Sequence, residues 1–339
     1  MRKRLPSFLL RTYEVLNLGA GVQSSRVLLG ACKGELPKFD VAIFADTKAE
    51  PAAVYENLVF LQSQADEAGI PLVVRSRGDL RADAIEFRRS GKSADGKRHA
   101  SVPVFIRNHD GTRGRVNRQC TAKYKIEVVE KFIRRELLGL PARSRIPKGV
   151  IVRQWFGISD DEATRAVFPG TFREREAMIG TDLLGAPVVV KCKKWHPTPW
   201  KIHVYPLLNE TWHPDRTIRE AKYLPRREQR ADCGRWLAAT FPGRFFPRSA
   251  CKWCPLRSNA EWREMRDHRP DEWADACDFD DAQRAADREG QKRRKFSVGL
   301  PYIHRQLVPL READLGGEGE RQGGGCGTLF DGQDGMCDV

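Results

Sequence analysis

Glycines and hydroxyl side chains meet in the stretch VLNLGAGVQSSRVLL, residues 15–29, where one apolar run ends and another begins. The first run predicts a buried strand, and the second predicts a helix whose first turn carries two serines. Glycine lets backbone amides approach an anion closely, and a helix N-terminus adds further donors. The stretch therefore predicts a phosphate-binding loop, and a glycine-rich turn without a ligand remains the alternative. The candidate phosphate-binding residues are Gly19, Gly21, Gln23, Ser24 and Ser25.

Acidic side chains follow two other apolar runs. FADTKAEP places Asp46 and Thr47 at the end of a predicted strand, with Glu50 just before a helix, and GISDDEATR places Asp160 and Glu162 after another. Carboxylates at such positions can hold a metal, a ribose hydroxyl or a catalytic water, and helix capping is the alternative for each. We expect Asp46, Asp160 and Glu162 to be catalytic and Thr47 and Glu50 to contact the nucleotide.

Strands must alternate with helices to bring these loops together. Apolar runs predict strands over 13–18, 40–45, 71–76 and 150–159, with one helix starting at Pro51 and another over 122–138. Strands separated by helices indicate an α/β fold with a Rossmann-like, doubly wound, mostly parallel sheet. Ligands of such sheets bind at the carboxyl ends of the strands, where the glycine loop and both acidic loops lie.

Seven short motifs occur in a fixed order along the chain: LGAGVQSS, FADTKAEP, RQCTAKYKI, GISDDEATR, YPL, SACKWCP and GMC. In this series the chain resembles the phosphoadenosine-phosphosulfate-reductase-like proteins of phages and bacteria, which belong to the adenine nucleotide alpha hydrolase, or PP-loop, superfamily. The resemblance runs from about residue 13 to the C-terminus. It implies a Rossmann-like sheet with a phosphate at the loop after the first strand. Superfamily members include sulfate-reduction enzymes, tRNA thiolation and lysidine enzymes, and the DNA phosphorothioation protein.

The glycine loop departs from the usual PP-loop, Ser-Gly-Gly-x-Asp-Ser. Gly19 replaces the first serine and Gln23 replaces the acid, and an amide is a poorer Mg²⁺ ligand than a carboxylate. We therefore expect a phosphate pocket in which ATP with Mg²⁺ is a doubtful cofactor. By resemblance, Arg118 and Lys125 of RQCTAKYKI face the same pocket, where Arg and Lys suit phosphate contact; an ordinary basic helix start is the alternative.

Nine cysteines in a chain of this size indicate a reducing cytoplasm, where thiols serve metal or redox chemistry. A CxxC with two distant cysteines can hold zinc or an Fe–S cluster, although a second CxxC is missing. Sulfur enzymes of the superfamily often use a cluster, so we expect zinc or a 4Fe–4S cluster at these four thiols. Cys337, near the C-terminus, is the alternative redox thiol. The four candidate metal ligands are Cys120, Cys233, Cys251 and Cys254.

The chain carries a formal net charge of +14, which favours a polyanionic partner, nucleic acid before any other, and DNA in particular. Lysines can track phosphates, and tryptophans can stack on bases or pack as a structural hairpin. No apolar run is long enough to span a membrane, so no membrane partner is expected. The candidate nucleic-acid-binding residues are Arg113, Arg115, Lys191, Lys193, Lys194, Trp195 and Trp200.

Three parts of the chain are expected. Residues 1–215 form the PP-loop domain, with a two-stranded basic and aromatic insertion at about 166–206 and a long Gly-rich loop over 90–118. Residues 216–315 form a helical part that contains the CxxC. Residues 316–339 form a Gly-rich tail.

The expected function is that of an enzyme acting on a nucleotide of DNA. One form is ATP-independent base removal, a DNA N-glycosylase reaction on a flipped base, which would suit antiviral defence in phage–host conflict. ATP-dependent sulfur transfer to, or reduction of, a nucleotide is the second form. The alternative to an enzyme is a non-catalytic nucleic-acid-binding module. The acidic loops argue against this alternative, because acids repel phosphate.

Overall fold

A parallel sheet of five strands lies at the centre of the structure. The strands are β1 Thr12–Leu18, β2 Val41–Asp46, β3 Leu72–Ser76, β6 Ile151–Phe156 and β9 Lys201–Val204, in the spatial order β3-β2-β1-β6-β9. The computed structural model describes residues 11–91, 102–108, 111–116, 118–166, 170–181, 187–208, 228–291 and 299–316, and residues 170–181 and 187–197 by their backbone alone. The predicted α/β, Rossmann-like architecture is confirmed at this level.

Both faces of the sheet are covered, which explains why its central strands are almost continuously apolar. On one face, Leu16 and Phe44 pack against α1 Val22–Cys32, α2 Ala52–Glu67 and α5 Arg230–Thr240. On the other face, Val15 and Ile43 pack against α4 Glu127–Phe132. Helix α4 lies within a helical stretch that begins with a π-helical turn, Thr121–Ile126, and ends with another, Ile133–Leu137. The predicted helix over 122–138 is therefore confirmed.

The sequence suggested one long loop over the basic stretch 90–118. The structure instead shows two strands within it. Strands β4 Phe105–Arg107 and β5 Arg113–Arg115 pair antiparallel, and β10 Pro301–Tyr302 joins β4 on its other side. The β-branched and aromatic residues of VPVFIR favour a strand, and the following NHDG favours a turn. Residues 92–101, 109–110 and 117 lie outside the described part.

The predicted two-stranded insertion is present as β7 Gly170–Thr181 and β8 Pro187–Pro197, paired antiparallel. The chain then returns to the sheet as β9, an edge strand that the sequence analysis did not predict. Strand β9 is only four residues long and polar at its start, so it carries little apolar signal.

The C-terminal part is helical, as predicted, and packs beside the sheet rather than away from it. It consists of α5, α6 Asn259–His268 and α7 Pro270–Gln291, and α7 packs on α3 Leu80–Ser90. Trp253 stacks on Phe279 with 3.9 Å between ring centroids, inside a second apolar core. In the described ranges no helix is long and apolar enough to cross a membrane. The tail from residue 317, with Cys326 and Cys337, lies outside the described residues.

Candidate functional site

The loop between β1 and α1 is held in an uncommon conformation. Ala20 has a positive φ of 55° and is fully buried between Gly19 and Gly21. A left-handed backbone is costly for a residue with a Cβ and persists only where its surroundings fix it. Asn57 of α2 provides that support, since its Nδ2 donates to the Ala20 carbonyl at 2.9 Å and to Ser25 Oγ at 3.1 Å. The loop is therefore preorganised at the open end of α1.

A segment from the C-terminal part closes this loop. A Cβ added to Gly21 would lie 2.9 Å from the backbone nitrogen of Ser249, and one added to Gly19 would lie 3.4 Å from Ser249 Oγ. Ser249 is 4% exposed, and its hydroxyl has no hydrogen-bond partner within the part of the chain that the structure describes. A buried hydroxyl without a partner is costly, so a ligand oxygen at this position would satisfy it.

The resulting pocket, here the phosphate pocket, contains only neutral and cationic groups. None of the described residues that line it is acidic, and the first amides of α1 have no intrahelical acceptors. Such a cavity suits an anion. The lining residues are Asn17, Gly19, Gly21, Gln23, Ser24, Gly157, Arg248 and Ser249. Of the five predicted loop residues, Ser25 is the one turned away, toward Asn57.

The acidic loop after β6 supports the phosphate pocket from behind. A Cβ on Gly157 would lie 2.6 Å from the Ser24 nitrogen, so the chain passes directly beside the start of α1. Gln23 Nε2 donates to Glu162 Oε2 at 3.0 Å and to Ser159 Oγ at 3.3 Å. Glu162 also pairs with Arg165 at 2.5 Å. Ser159 and Glu162 therefore hold the amide nitrogen of Gln23 toward the loop after β6, and Arg165 balances the charge of Glu162.

The other two predicted catalytic acids, Asp46 and Asp160, lie at the same sheet edge, and like Glu162 neither of them lines the phosphate pocket. Asp46 Oδ1 accepts from the Lys48 amide at 2.7 Å and from the Tyr55 hydroxyl at 2.8 Å. Burial and the neighbouring Asp46 carboxylate raise the pKa of Tyr55. The Asp160 amide donates to the Glu228 carbonyl at 2.9 Å. The observed contacts of Asp46 organise the β2 loop and those of the Asp160 backbone organise the β6 loop.

A second pocket, here the thiol pocket, adjoins the first, and Arg248 lines both. Cys120, Cys251 and Cys254 face this pocket together, although Cys120 is far from the CxxC in sequence. Predicted phosphate ligands Arg118, Lys125 and Thr47 also line it. The full lining is Thr47, Leu80, Arg118, Cys120, Thr121, Lys125, Arg248, Ala250, Cys251, Cys254, Leu256 and Arg257.

The CxxC loop is fixed by backbone contacts on both sides. The Lys252 amide donates to the Ala49 carbonyl at 2.8 Å, which ties the loop to the segment after β2. Buried Arg257 donates from Nη2 to the carbonyls of Ala250 and Cys251, each at 3.1 Å. Burial lowers the pKa of Arg257. These bonds hold Cys251 against the β2 loop.

A chain of polar contacts leads from Cys251 into the protein. Its Sγ lies 3.8 Å from Thr47 Oγ1, which lies 3.4 Å from Glu50 Oε1. Glu50 has a fully buried side chain, and its Oε1 lies 3.3 Å from Lys125 Nζ. Burial raises the pKa of Cys251, and the Glu50 carboxylate raises it further. At neutral pH Cys251 is therefore a protonated thiol that is linked through Thr47 to a buried carboxylate.

The four predicted metal ligands do not converge. Cys233 lies in the core between α5 and α1, where its Sγ donates to Glu228 Oε2 at 3.6 Å, and burial raises its pKa. Cys120 and Cys251 belong to the other core, beside the thiol pocket. Among described residues, no group of three or more His, Cys, Asp or Glu side chains is arranged to hold a metal ion. The structure thus brings Cys120, Cys251 and Cys254 to one pocket and places Cys233 elsewhere, and zinc or an Fe–S cluster stays a prediction.

The predicted nucleic-acid contacts have different surroundings. Arg113 and Arg115 are exposed on β5, opposite Arg107 and Phe105 of β4. Trp200 is partly buried against the core on the α4 face of the sheet. The side chains of Lys191, Lys193, Lys194 and Trp195 lie outside the described part, although their backbone forms β8.

Among the residues of this site that sequence analysis missed are Asn57, Gly157, Arg248 and Ser249. Gly157 lies within the predicted strand 150–159, and a glycine in a strand is a signal for a close approach of another backbone. The other three act through contacts between segments far apart in sequence, and no local pattern marks them. Comparison with protein-family models finds no match to this chain, and comparisons with curated proteins and with solved structures find none either.

Proposed function

We propose that this chain is an enzyme that modifies a nucleotide of nucleic acid by sulfur chemistry. The nucleotide phosphate binds in the phosphate pocket, and the reacting part extends into the thiol pocket. The observation that carries the proposal is the shared wall: Arg248 lines both pockets. A guanidinium there can hold a phosphate oxygen while a thiol acts on the same ligand. The proposal agrees with the resemblance to the PP-loop superfamily, whose members include sulfur enzymes.

The phosphate side is supported by its donors. The open end of α1, the unpartnered Ser249 hydroxyl and Arg248 are neutral or cationic. Together they favour an anion over a neutral ligand. Gln23 replaces the acid of the usual PP-loop and its amide donates to Glu162, so position 23 offers no carboxylate to Mg²⁺.

The thiol side is supported by its nucleophiles and its charge. Cys251, Thr47 and Glu50 form a path along which a thiol proton can leave. Arg118, Lys125, Arg248 and Arg257 line the same pocket and favour an anionic substrate. Of these cations, Lys125 opposes the rise in the pKa of Cys251. Thiolates are strong nucleophiles for sulfur transfer and for reduction.

Base hydrolysis receives less support from the geometry. It requires a carboxylate beside the sugar, and none of the described residues lining either pocket is acidic. Glu162 is bonded to Gln23 and Arg165, and Asp46 is bonded to Tyr55.

A nucleic-acid substrate is favoured over a free nucleotide by charge. The chain carries a formal charge of +14, and Arg107, Arg113 and Arg115 are exposed on the β4–β5 hairpin. That hairpin leads within a few residues to Arg118 of the thiol pocket. A basic surface that continues into a pocket suits a polyanion whose one nucleotide enters the site.

The proposal is tested by incubating the protein with single-stranded and duplex DNA. ATP and sulfide with a thiol reductant are each added or omitted, and the digested nucleosides are analysed by mass spectrometry. We expect a nucleoside of altered mass, lost in Cys251→Ala and retained in Cys233→Ala. Abasic sites formed equally by wild type and Cys251→Ala would contradict the proposal and favour the hydrolytic alternative.

A further inference from the structure

Strands β7 and β8 form a separate two-stranded ribbon within the described ranges. Their antiparallel register is continuous from Gly170 opposite Pro197 to Met178 opposite Val189, and it shifts only between Met178 and Gly180. Each strand is long, with 12 residues in β7 and 11 in β8. The register therefore assigns the residues of the ribbon to its two faces.

The charged residues of the ribbon are divided unequally between its two faces. Directly opposed residues of an antiparallel pair share a face, and neighbours in sequence lie on opposite faces. One face carries Arg173 opposite Lys194, with Arg175 opposite Cys192 and Thr171 opposite His196. We call this the cationic face. It holds three permanent positive charges and no acid over these positions.

The other face, here the balanced face, pairs opposite charges. Glu174 is opposite Lys193, and Glu176 is opposite Lys191, while Phe172 is opposite Trp195. Opposite charges at directly opposed positions stabilise an antiparallel strand pair, and their electrostatic fields cancel at a distance. The lysines that the sequence analysis chose for nucleic-acid binding are thus split between the faces, and only Lys194 lies on the cationic one.

We propose that the cationic face of the β7–β8 ribbon binds the phosphates of duplex DNA, and that Lys191 and Lys193 contribute little. This rests on the proposed function, because it assigns a surface to the nucleic-acid substrate. Like charges directly opposite each other, as at Arg173 and Lys194, destabilise a ribbon unless an anion lies against them. A two-stranded antiparallel ribbon fits the DNA major groove, which the two phosphate rows flank.

Two double variants remove the same charge from different faces, so that bulk charge cannot explain a difference. Arg173→Gln with Lys194→Gln alters the cationic face, and Lys191→Gln with Lys193→Gln alters the balanced face. Binding of a fluorescent duplex of about 25 base pairs is measured by anisotropy across salt concentrations. Circular dichroism melting checks that both variants fold as wild type does.

The cationic-face variant is expected to bind at least about ten-fold more weakly and to lower the salt slope by about two. The balanced-face variant should stay within about three-fold of wild type. Equal losses in both variants, or wild-type affinity in the cationic-face variant, would overturn the ribbon assignment alone. Failure of wild type to bind any DNA, single-stranded or duplex, would instead overturn the proposed function.

Discussion

Ser249 packs directly against Gly21: a Cβ on Gly21 would lie 2.9 Å from the Ser249 backbone nitrogen. The contact joins the loop after β1 to the segment that precedes the CxxC. Because Arg248 lies beside Ser249 and lines both pockets, this one contact brings the phosphate pocket and the thiol pocket together.

A methyl group at Gly21 should therefore damage the site. Gly21→Ala must displace the Ser249 backbone, and we expect it to destabilise the fold by about 2 kcal/mol and to abolish phosphate binding. Gly234→Ala is the matched control, since Gly234 lies in helix α5 with open space around it. There alanine should stabilise by about 0.5–1 kcal/mol. Urea unfolding of both variants measures the difference, and equal stabilities would contradict the close contact.

Removing the Ser249 hydroxyl should affect binding and leave stability unchanged. The hydroxyl has no partner within the described chain, so Ser249→Ala breaks no internal hydrogen bond. If the hydroxyl donates to a phosphate, its loss should weaken DNA or nucleotide binding about ten-fold, as one hydrogen bond to a charged group. Calorimetric titration measures the change in affinity, and thermal melting measures the stability of the variant. Unchanged affinity would remove Ser249 from the anion site.

Cys251 should become more reactive when its neighbouring carboxylate is neutralised. Glu50 raises the pKa of Cys251, while Lys125 opposes it. Glu50→Gln removes the negative charge and keeps the positive one, so the thiolate fraction at pH 8 rises. Iodoacetamide alkylation of Cys251, followed by peptide mass spectrometry, should be faster than in wild type. Glu56→Gln on the exposed side of α2 is the control and should leave the rate unchanged. A slower or equal rate in Glu50→Gln would contradict the contact.

Acid should destabilise the C-terminal part through His304. Burial and nearby Arg305 lower the pKa of His304 to about 4, although Asp314 opposes this. The unfolded chain, with an ordinary pKa of about 6.5, binds the proton at higher pH, so stability falls as pH falls from about 6.5 to about 4. The melting temperature of wild type should drop more steeply across that window than that of His304→Gln. If the melting temperatures of wild type and His304→Gln fall in parallel as the pH is lowered, His304 does not contribute to the acid destabilisation.

Much of the fold follows from local sequence pattern. Strands β1, β2 and β6 are apolar along much of their length because most of their residues are buried. The predicted positions of these strands and of β3 agree with the structure to within a few residues. The short edge strand β9 has no such signal, because it is four residues long and pairs with β6, which is distant in sequence.

The candidate site was only partly predictable for the same reason. Glycine and hydroxyl residues mark the loop after β1, and the CxxC marks Cys251 and Cys254. Spacing could not show that Cys120 lies beside them while Cys233 faces Glu228 in another core. Nor could it show that Ser249 completes the loop, since a lone serine carries no pattern and its role comes from a long-range contact.

The central claim is that the two pockets form one ligand site, and protection of Cys251 tests it most directly. Alkylation of Cys251 is measured with and without saturating single-stranded DNA, with Cys32 at the end of α1 as the internal reference. We predict that bound DNA slows alkylation of Cys251 at least about ten-fold and leaves Cys32 unchanged. Equal alkylation of Cys251 in both samples, at a DNA concentration shown to saturate the protein, would contradict the account.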